Sequence, residues 1–366
     1  MKVVIKVGSQ AILSPEGAAL ETVMTNIIAQ IIELQQAGHQ VILVSSGAVA
    51  LGRGISRKIV AREYGNSVAD KQLLASLGQP QLMAIYTKIC EQQQYLAAQL
   101  LLTKYDFQTK RSYTNILRLL QKALSQSNVI TIINENDSVA VEELMFTDND
   151  ELSGIIAAQI GADKLLLLTS ISGVYDKNPL EADAKLLEEI HLNDSLPELA
   201  GKTTLGRGGM SSKLNTARKM ASVGVMTHIA NIAEPNVITR LVLGSDKIGS
   251  KVIPEHKQTA RKKFLAFTQG QAQAQIIANW GLVAALNKHD AISILPVGIE
   301  ASNGNFKRGD LIEVLNPAGD KIAIGVARYN SSKLQEYIGG KNHPEFIHYD
   351  YLHIDHDAIL TGITHE

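Results

Sequence analysis

Four short runs constrain this chain more than any other feature. Residues 3–7, 41–44, 129–133 and 165–169 are apolar at nearly every position, without the polar alternation of a strand that faces water. A strand apolar on both faces has to be covered on both. Between the runs the spacing becomes helical: Leu20, Val23, Met24, Ile27, Ile28, Ile31 and Leu34 share one face up to Gly38. Leu73, Leu74, Leu77, Leu82, Ile85 and Ile89 form a second helical series. Further helices are predicted around 116–124, 152–160 and 236–243, with strands at 100–103 and 226–230. Alternation of this kind predicts an α/β protein, a three-layer αβα sandwich with a mostly parallel sheet.

In such sheets ligands sit beyond the carboxyl ends of the strands. The polar groups that follow the apolar runs are therefore the ones to weigh: Gly8-Ser9, Ser45-Ser46-Gly47, Asn134 to Asp137, and Thr169-Ser170. Lys6 lies inside an apolar run, where an ammonium needs a partner; it reads either as an edge-strand lysine reaching solvent or as a strand-end lysine aimed at phosphate. Ser46 taken alone reads as a helix N-cap. The segment GRGGMSSK, residues 206–213, carries more weight. Three glycines in four positions, two serines and Lys213 at a helix start suit a phosphate cradle. The segment is not a P-loop, and Gly201-Lys202-Thr203 is not one either, because Leu196 stands where that pattern needs glycine. Asp148 suits an N-cap, but a cap does not account for Asn134, Asn136, Asp137 and Asn149 gathered at two element ends.

The texture changes near residue 254. A basic connector (Pro254, Lys257, Arg261, Lys262, Lys263) precedes short strands predicted at 292–296, 311–315 and 321–327, separated by turn signals such as Asn303-Gly304-Asn305 and Pro317-Ala318-Gly319. The expected organisation is a first domain over 1–253, a linker over 254–258, a small mostly β domain over 259–340 and a tail over 341–366. His343, His348, His353, His356 and His365 crowd that tail, which reads as a solvated segment.

Lys and Arg number 35 against 36 Asp and Glu, so the chain as a whole has no electrostatic footprint for nucleic acid. The single cysteine, Cys90, excludes an intrachain disulfide and reads as a core or surface thiol rather than a nucleophile. MKVVIKVGSQ lacks a signal-peptide pattern, and no apolar run approaches the roughly 18 residues of a membrane span. The expectation is a cytoplasmic protein with no membrane partner.

The motifs KVGS, VSSGAVALG, INENDSVA, FTDNDELS, LLLLTSISGVYDKNP and GRGGMSSKL occur in this chain in that order. In this they resemble the amino acid kinase family, and the C-terminal part resembles a PUA domain. INENDSV points to the branch that phosphorylates the γ-carboxylate of L-glutamate with ATP, giving L-glutamyl 5-phosphate in the first step of proline biosynthesis. The resemblance implies catalytic roles for Lys6, Lys213 and Asp150, with Asp150 holding the two lysines. It implies glutamate binding by Ser46, Asn134, Asp137 and Asn149. It implies ATP contacts from Lys6, Gly8, Thr169, Ser170, Arg207, Gly208, Gly209, Met210, Ser211, Ser212 and Lys213, and Mg²⁺ carried on the ATP phosphates rather than on protein ligands. A homo-oligomer and hand-off of glutamyl phosphate to glutamate-5-semialdehyde dehydrogenase are implied as well. Ser170, Asn178, Arg207 and Ile232 depart from the family's usual residues, all on the nucleotide side. The alternatives are a relative acting on N-acetylglutamate, aspartate, carbamate or UMP, or an RNA-binding protein whose active part is the PUA-like module. INENDSV and the PUA-like tail favour glutamate.

Overall fold

The computed structural model describes residues 1–107, 110–140, 148–179, 181, 183–192, 194, 209–244, 247–254, 272, 274–288, 292–355 and 359. The chain divides into two compact units, Met1–Thr103 with Arg118–Lys257, and Lys104–Leu117 with Gln258–Glu366.

The first unit is built on an eight-stranded sheet. Its strands are β1 (Lys2–Val7), β2 (Gln40–Ser45), β3 (Leu96–Leu102), β4 (Val129–Glu135), β5 (Lys164–Thr169), β6 (Glu189–Ile190), β7 (Met226–Asn231) and β8 (Ser250–Val252), in the order β3-β4-β2-β1-β5-β7-β8-β6. From β3 across to β7 every pair is parallel; β8 runs antiparallel to β7. The four apolar runs are the four neighbouring strands β4, β2, β1 and β5. Lys6 is therefore on a central strand, and its reading as an edge lysine fails.

The described helices of this unit are α1 (Ser9–Ile12), α2 (Glu21–Gln36), α3 (Ala48–Val60), α4 (Val68–Gln92), α5 (Lys110–Leu124, which spans both units), α6 (Asn149–Ile160), α7 (Met210–Ser222) and α8 (Val237–Leu243). One face of the sheet (Val3, Ile5, Val7, Val41, Leu43, Leu166, Leu168) packs with α2, α4 and α8 in a single apolar core. Side chains alternate along a strand, so Val4, Lys6, Ile42, Val44, Leu165 and Leu167 point to the other face. There α6 packs on β1, β2, β4 and β5, and α7 on α6. Burial of both faces explains why these strands are apolar throughout. Gln30, buried on α2, accepts from the N–H groups of Ile238 and Thr239 and so satisfies the start of α8 from outside that helix.

Helix α3 is held by unusually close backbone contacts. A Cβ on Gly52 would lie 1.9 Å from the Leu74 carbonyl oxygen, and one on Gly78 would lie 1.8 Å from that of Ala48. Only glycine lets α3 and α4 approach this far. Cys90 is buried on α4, and burial pushes its thiol up to about 11, in keeping with a core thiol.

The second unit has a five-stranded sheet made of β9 (Ala274–Ala278), β10 (Ile299–Asn303), β11 (Leu311–Leu315), β12 (Lys321–Val326) and β13 (Leu352–Ile354), in the order β10-β9-β11-β12-β13. Among the described residues α9 (Trp280–Lys288) and α10 (Ser331–Tyr337) accompany it. The strand expected at 292–296 is not one: Ile294 makes a single bridge to Ile347, and Pro296–Gly298 is a 3-10 turn. Proline cannot donate to a ladder, so the run stops there. The segment expected as a solvated tail supplies Phe346, Ile347 and Leu352 to this unit's core, where Phe346 lies 5.6 Å from Phe306 and 5.3 Å from Tyr329, ring centre to ring centre. The histidines around these residues hid a short apolar pair. His356, His365 and most of the basic connector lie outside the described residues.

Candidate active site

The parallel register brings the chosen strand ends to one edge of the sheet. Val7 pairs with Ser45 on one side and with Leu168 on the other, and Leu43 and Val44 pair with Ile132 and Ile133. Gly8, Ser46, Asn134 to Asp137 and Thr169 therefore emerge together. Helices α3, α6 and α7 have their N-termini at Gly47, Asp148 and Gly209.

Asp150 is a charged residue fully buried in the first turn of α6. Its Oδ1 lies 2.6 Å from Lys6 Nζ and its Oδ2 2.9 Å from Lys213 Nζ. Lys6 and Lys213 are only 5% and 8% exposed, so neither ammonium is compensated by bulk water. Burial alone would raise the carboxyl's pKa, but the two ammonium groups outweigh it and hold the group below the usual carboxylate range. Lys213 spends one of its three donors on Asp150 Oδ2, and Lys6 faces Oδ1 as an ion pair, so donors remain on both ammonium groups for an anion. Asp148 sits beside this cluster. Burial and the Asp150 charge raise its pKa, opposed by Ser212, Lys6 and the Glu151 N–H. Its Oδ1 accepts from Asp150 N at 2.9 Å and Glu151 N at 3.1 Å, the expected N-cap.

Next to it runs a chain of side-chain amides. Asn149 Nδ2 donates to Ser46 Oγ at 2.7 Å and to Asn134 Oδ1 at 3.0 Å. Asn134 Nδ2 in turn donates to Gln79 Oε1 at 2.8 Å. Asn149 Oδ1 is buried and accepts no hydrogen bond among the described residues. Ser46 is not the cap of α3. Gly47 occupies that place in the left-handed region, with φ +113°, and the helix start carries no side-chain cap. Asp137 is half-buried and lines a small cavity of about 30 Å³ with Asn136, Ala75, Ser76 and Gln79.

The phosphate side can be tested against the glycines. Gly8 and Gly209 have φ −80° and −83°, conformations open to any residue. A Cβ on Gly8 would meet nothing nearer than Lys6 Nζ at 3.7 Å, and one on Gly209 would meet nothing within 4 Å. The fold does not require glycine at either place, whereas a close-lying ligand would. Helix α7 starts without a side-chain cap, leaving the first-turn N–H groups near Met210, Ser211 and Ser212 able to take an anion. Thr169 ends β5, and its carbonyl accepts from Ile232 N; Ser170 follows it, exposed. Arg207 and Gly208 lie outside the described residues.

Gln79 was not among the residues expected here. It stands on one face of α4 with Gln72, Ala75 and Ser76, spaced i, i+3, i+4 and i+7, and Gln72 Nε2 bonds the Ala140 carbonyl beyond β4. That stripe of polar and small residues within a leucine-rich helix was the available signal.

Residues 1–231 match the amino acid kinase family, and residues 274–343 match the PUA domain. The chain is 37% identical over 359 residues to a glutamate 5-kinase of Chlorobaculum tepidum, covering 96% of this chain and 97% of that protein. It is 35% identical over 358 residues to a glutamate 5-kinase of Bacteroides thetaiotaomicron, covering 97% and 98%. The crystal structure of a T. acidophilum isopentenyl phosphate kinase product complex superposes with a TM-score of 0.50 at 15% identity, covering 69% of this chain and 100% of that one, a likeness of fold.

Proposed function

This chain belongs to the amino acid kinase family, with glutamate 5-kinases as near-full-length relatives, and we infer that it transfers the γ-phosphoryl group of ATP to the γ-carboxylate of L-glutamate, the first step of proline biosynthesis. The observation that carries the chemistry is the Lys6–Asp150–Lys213 cluster standing beside the amide chain of Ser46, Asn149 and Asn134.

A carboxylate oxygen of glutamate attacks the γ-phosphorus; the new O–P bond forms as the bond to the β-γ bridging oxygen breaks, and ADP leaves with the electron pair. The nucleophile is already an anion, so no general base is required. Catalysis rests on alignment and on stabilising negative charge. Lys6 and Lys213 reach the transferring phosphoryl group, and Asp150 holds both ammonium groups in place. Gly8, Thr169, Ser170, Gly209 and the start of α7 accommodate ATP, with Arg207 and Gly208 completing the loop. Asn149 Oδ1 and Asp137 take the substrate ammonium; the Ser46 hydroxyl and the uncapped start of α3 take carboxylate. Mg²⁺ bound to the ATP phosphates would add to the charge neutralisation that the lysines supply.

The protein works in the cytoplasm as a homo-oligomer; the exposed Ile59, Val60, Leu73 and Leu77 of α3 and α4 support association. No helix among the described residues is long and apolar enough to cross a membrane. The acyl phosphate product is reactive and passes to glutamate-5-semialdehyde dehydrogenase. The bond formed is testable with hydroxylamine, which captures an acyl phosphate. The protein with MgATP and L-glutamate should yield γ-glutamyl hydroxamate in step with ADP. ADP release without hydroxamate would contradict the reading.

A further inference from the structure

One backbone group fixes the polarity of the whole amide chain. The N–H of Glu135 donates to Asn134 Oδ1 at 2.9 Å. A backbone N–H can only donate, so the Asn134 atom there is oxygen and the other is Nδ2. Gln79 must then present an acceptor to Nδ2, which is its Oε1 at 2.8 Å. Asn149 must donate to Asn134 Oδ1, and its second N–H goes to Ser46 Oγ. Both hydrogens of Asn149 are used, so the face it offers is Oδ1, buried and without a partner among the described residues. Ser46 Oγ has accepted a bond and keeps its own hydrogen to give. Starting from Glu135, the chain dictates an acceptor at Asn149 and a donor at Ser46.

We propose that Gln79 is a positioning residue that locks this polarity, and that the lock selects an amino acid with a free α-ammonium over one with an acylated amine. The inference rests on the assignment of Ser46 and Asn149 to glutamate. An ammonium brings three donors to Asn149 Oδ1 and Asp137, whereas an acylated nitrogen brings one donor and a carbonyl that needs a donor in return. Asn134 is only 2% exposed. Without the Gln79 acceptor its Nδ2 is buried and unsatisfied, a costly state. Turning away to find another acceptor relieves that cost but breaks the bond to Asn149, whose amide is then free to rotate. Helix α4 places Gln79 for this task, because Gln72, two turns earlier on the same face, ties the same helix to the Ala140 carbonyl.

The experiment is steady-state kinetics of the full chain carrying Gln79→Leu, Gln79→Glu, Asn149→Ala, and Gln79→Leu with Asn149→Ala. Gln79→Leu should raise KM for L-glutamate roughly tenfold, the loss of about one well-placed hydrogen bond. Its kcat and KM for ATP should stay near those of the unaltered protein, and preference for L-glutamate over N-acetylglutamate should fall by a similar factor. Gln79→Glu keeps an acceptor at the same reach and should lie closer to the unaltered protein than Gln79→Leu does. In the double variant Gln79→Leu should add nothing to Asn149→Ala, because it acts through that residue. Unchanged glutamate KM, additive effects, a Gln79→Glu variant as impaired as Gln79→Leu, or an equal fall in ATP-side kinetics would each overturn the proposal. If the unaltered protein does not phosphorylate glutamate, the functional reading fails first, and that outcome is seen before any variant is compared.

Discussion

Asp150 faces a different lysine with each of its two oxygens, and it does so without contact with water. Replacing it with alanine leaves two ammonium groups enclosed without a counter-charge, which should destabilise the fold by about 3–5 kcal/mol. A fall in the urea midpoint at unchanged slope would report it. Lys213→Ala removes a charge whose demand peaks as the phosphoryl group transfers, so kcat should fall roughly 100-fold or more while KM for glutamate stays within a few-fold. A second titration is built into β7. His228 is buried between Lys164 and Lys251, and burial first, then those two charges, depress its pKa to about 4. The unfolded state therefore binds the proton more readily. Stability from this group is complete above about pH 6.5 and is lost as the pH falls toward 4, on the order of 3 kcal/mol in all. Urea midpoints across that range should drop for the unaltered protein and flatten for His228→Leu. Asn134, Asp137 and Asn149 were legible in the sequence, because polar residues at the ends of apolar elements stand where sheets of this kind bind their ligands, whereas Lys6 is open to two readings there and the role of Asp150 rests on the resemblance to the family. Gln79 was not legible, since its partner lies 55 residues away and the polar stripe it shares with Gln72, Ala75 and Ser76 on α4 does not say what that face meets.

The unbroken apolar runs set the parallel sheet, and the helical spacing between them set α2, α4 and α6. What they could not set was closeness. At Gly52 and Gly78 the need for glycine comes from a carbonyl on the facing helix, which a single helix does not reveal. Gly78→Ala should force α3 and α4 apart and cost about 1–3 kcal/mol or more, read as a lower melting temperature. Because Gln79 is the next residue, the same change should also raise KM for glutamate. Ser46 shows the opposite error: a serine before a helix reads as a cap, but the left-handed Gly47 takes that position and releases the hydroxyl. In the second unit the short β rhythm was legible for β11 and β12. Strand β13 and the Phe346-Ile347 pair were obscured by the histidines around them.

At the scale of the molecule the change of texture near residue 254 falls close to the division at Lys257. A chain ending at Lys257 should keep glutamate phosphorylation with kcat within several-fold, measured by the hydroxamate reaction; a protein that no longer folds would show that the first unit depends on the second. All the proposed catalytic and glutamate-binding residues belong to the first unit, so the substrate choice should belong to it as well. That choice is the central claim, and it is tested most directly by kcat/KM of the full chain with L-glutamate, N-acetylglutamate, L-aspartate and UMP in one ATP-coupled assay. The amide chain, Asp137 and the two-lysine cluster predict efficient saturable turnover with L-glutamate and values lower by roughly 100-fold or more with the other three, in line with a site whose buried polar groups a wrong substrate leaves unpaired. Equal or better turnover with N-acetylglutamate, aspartate or UMP would contradict the account.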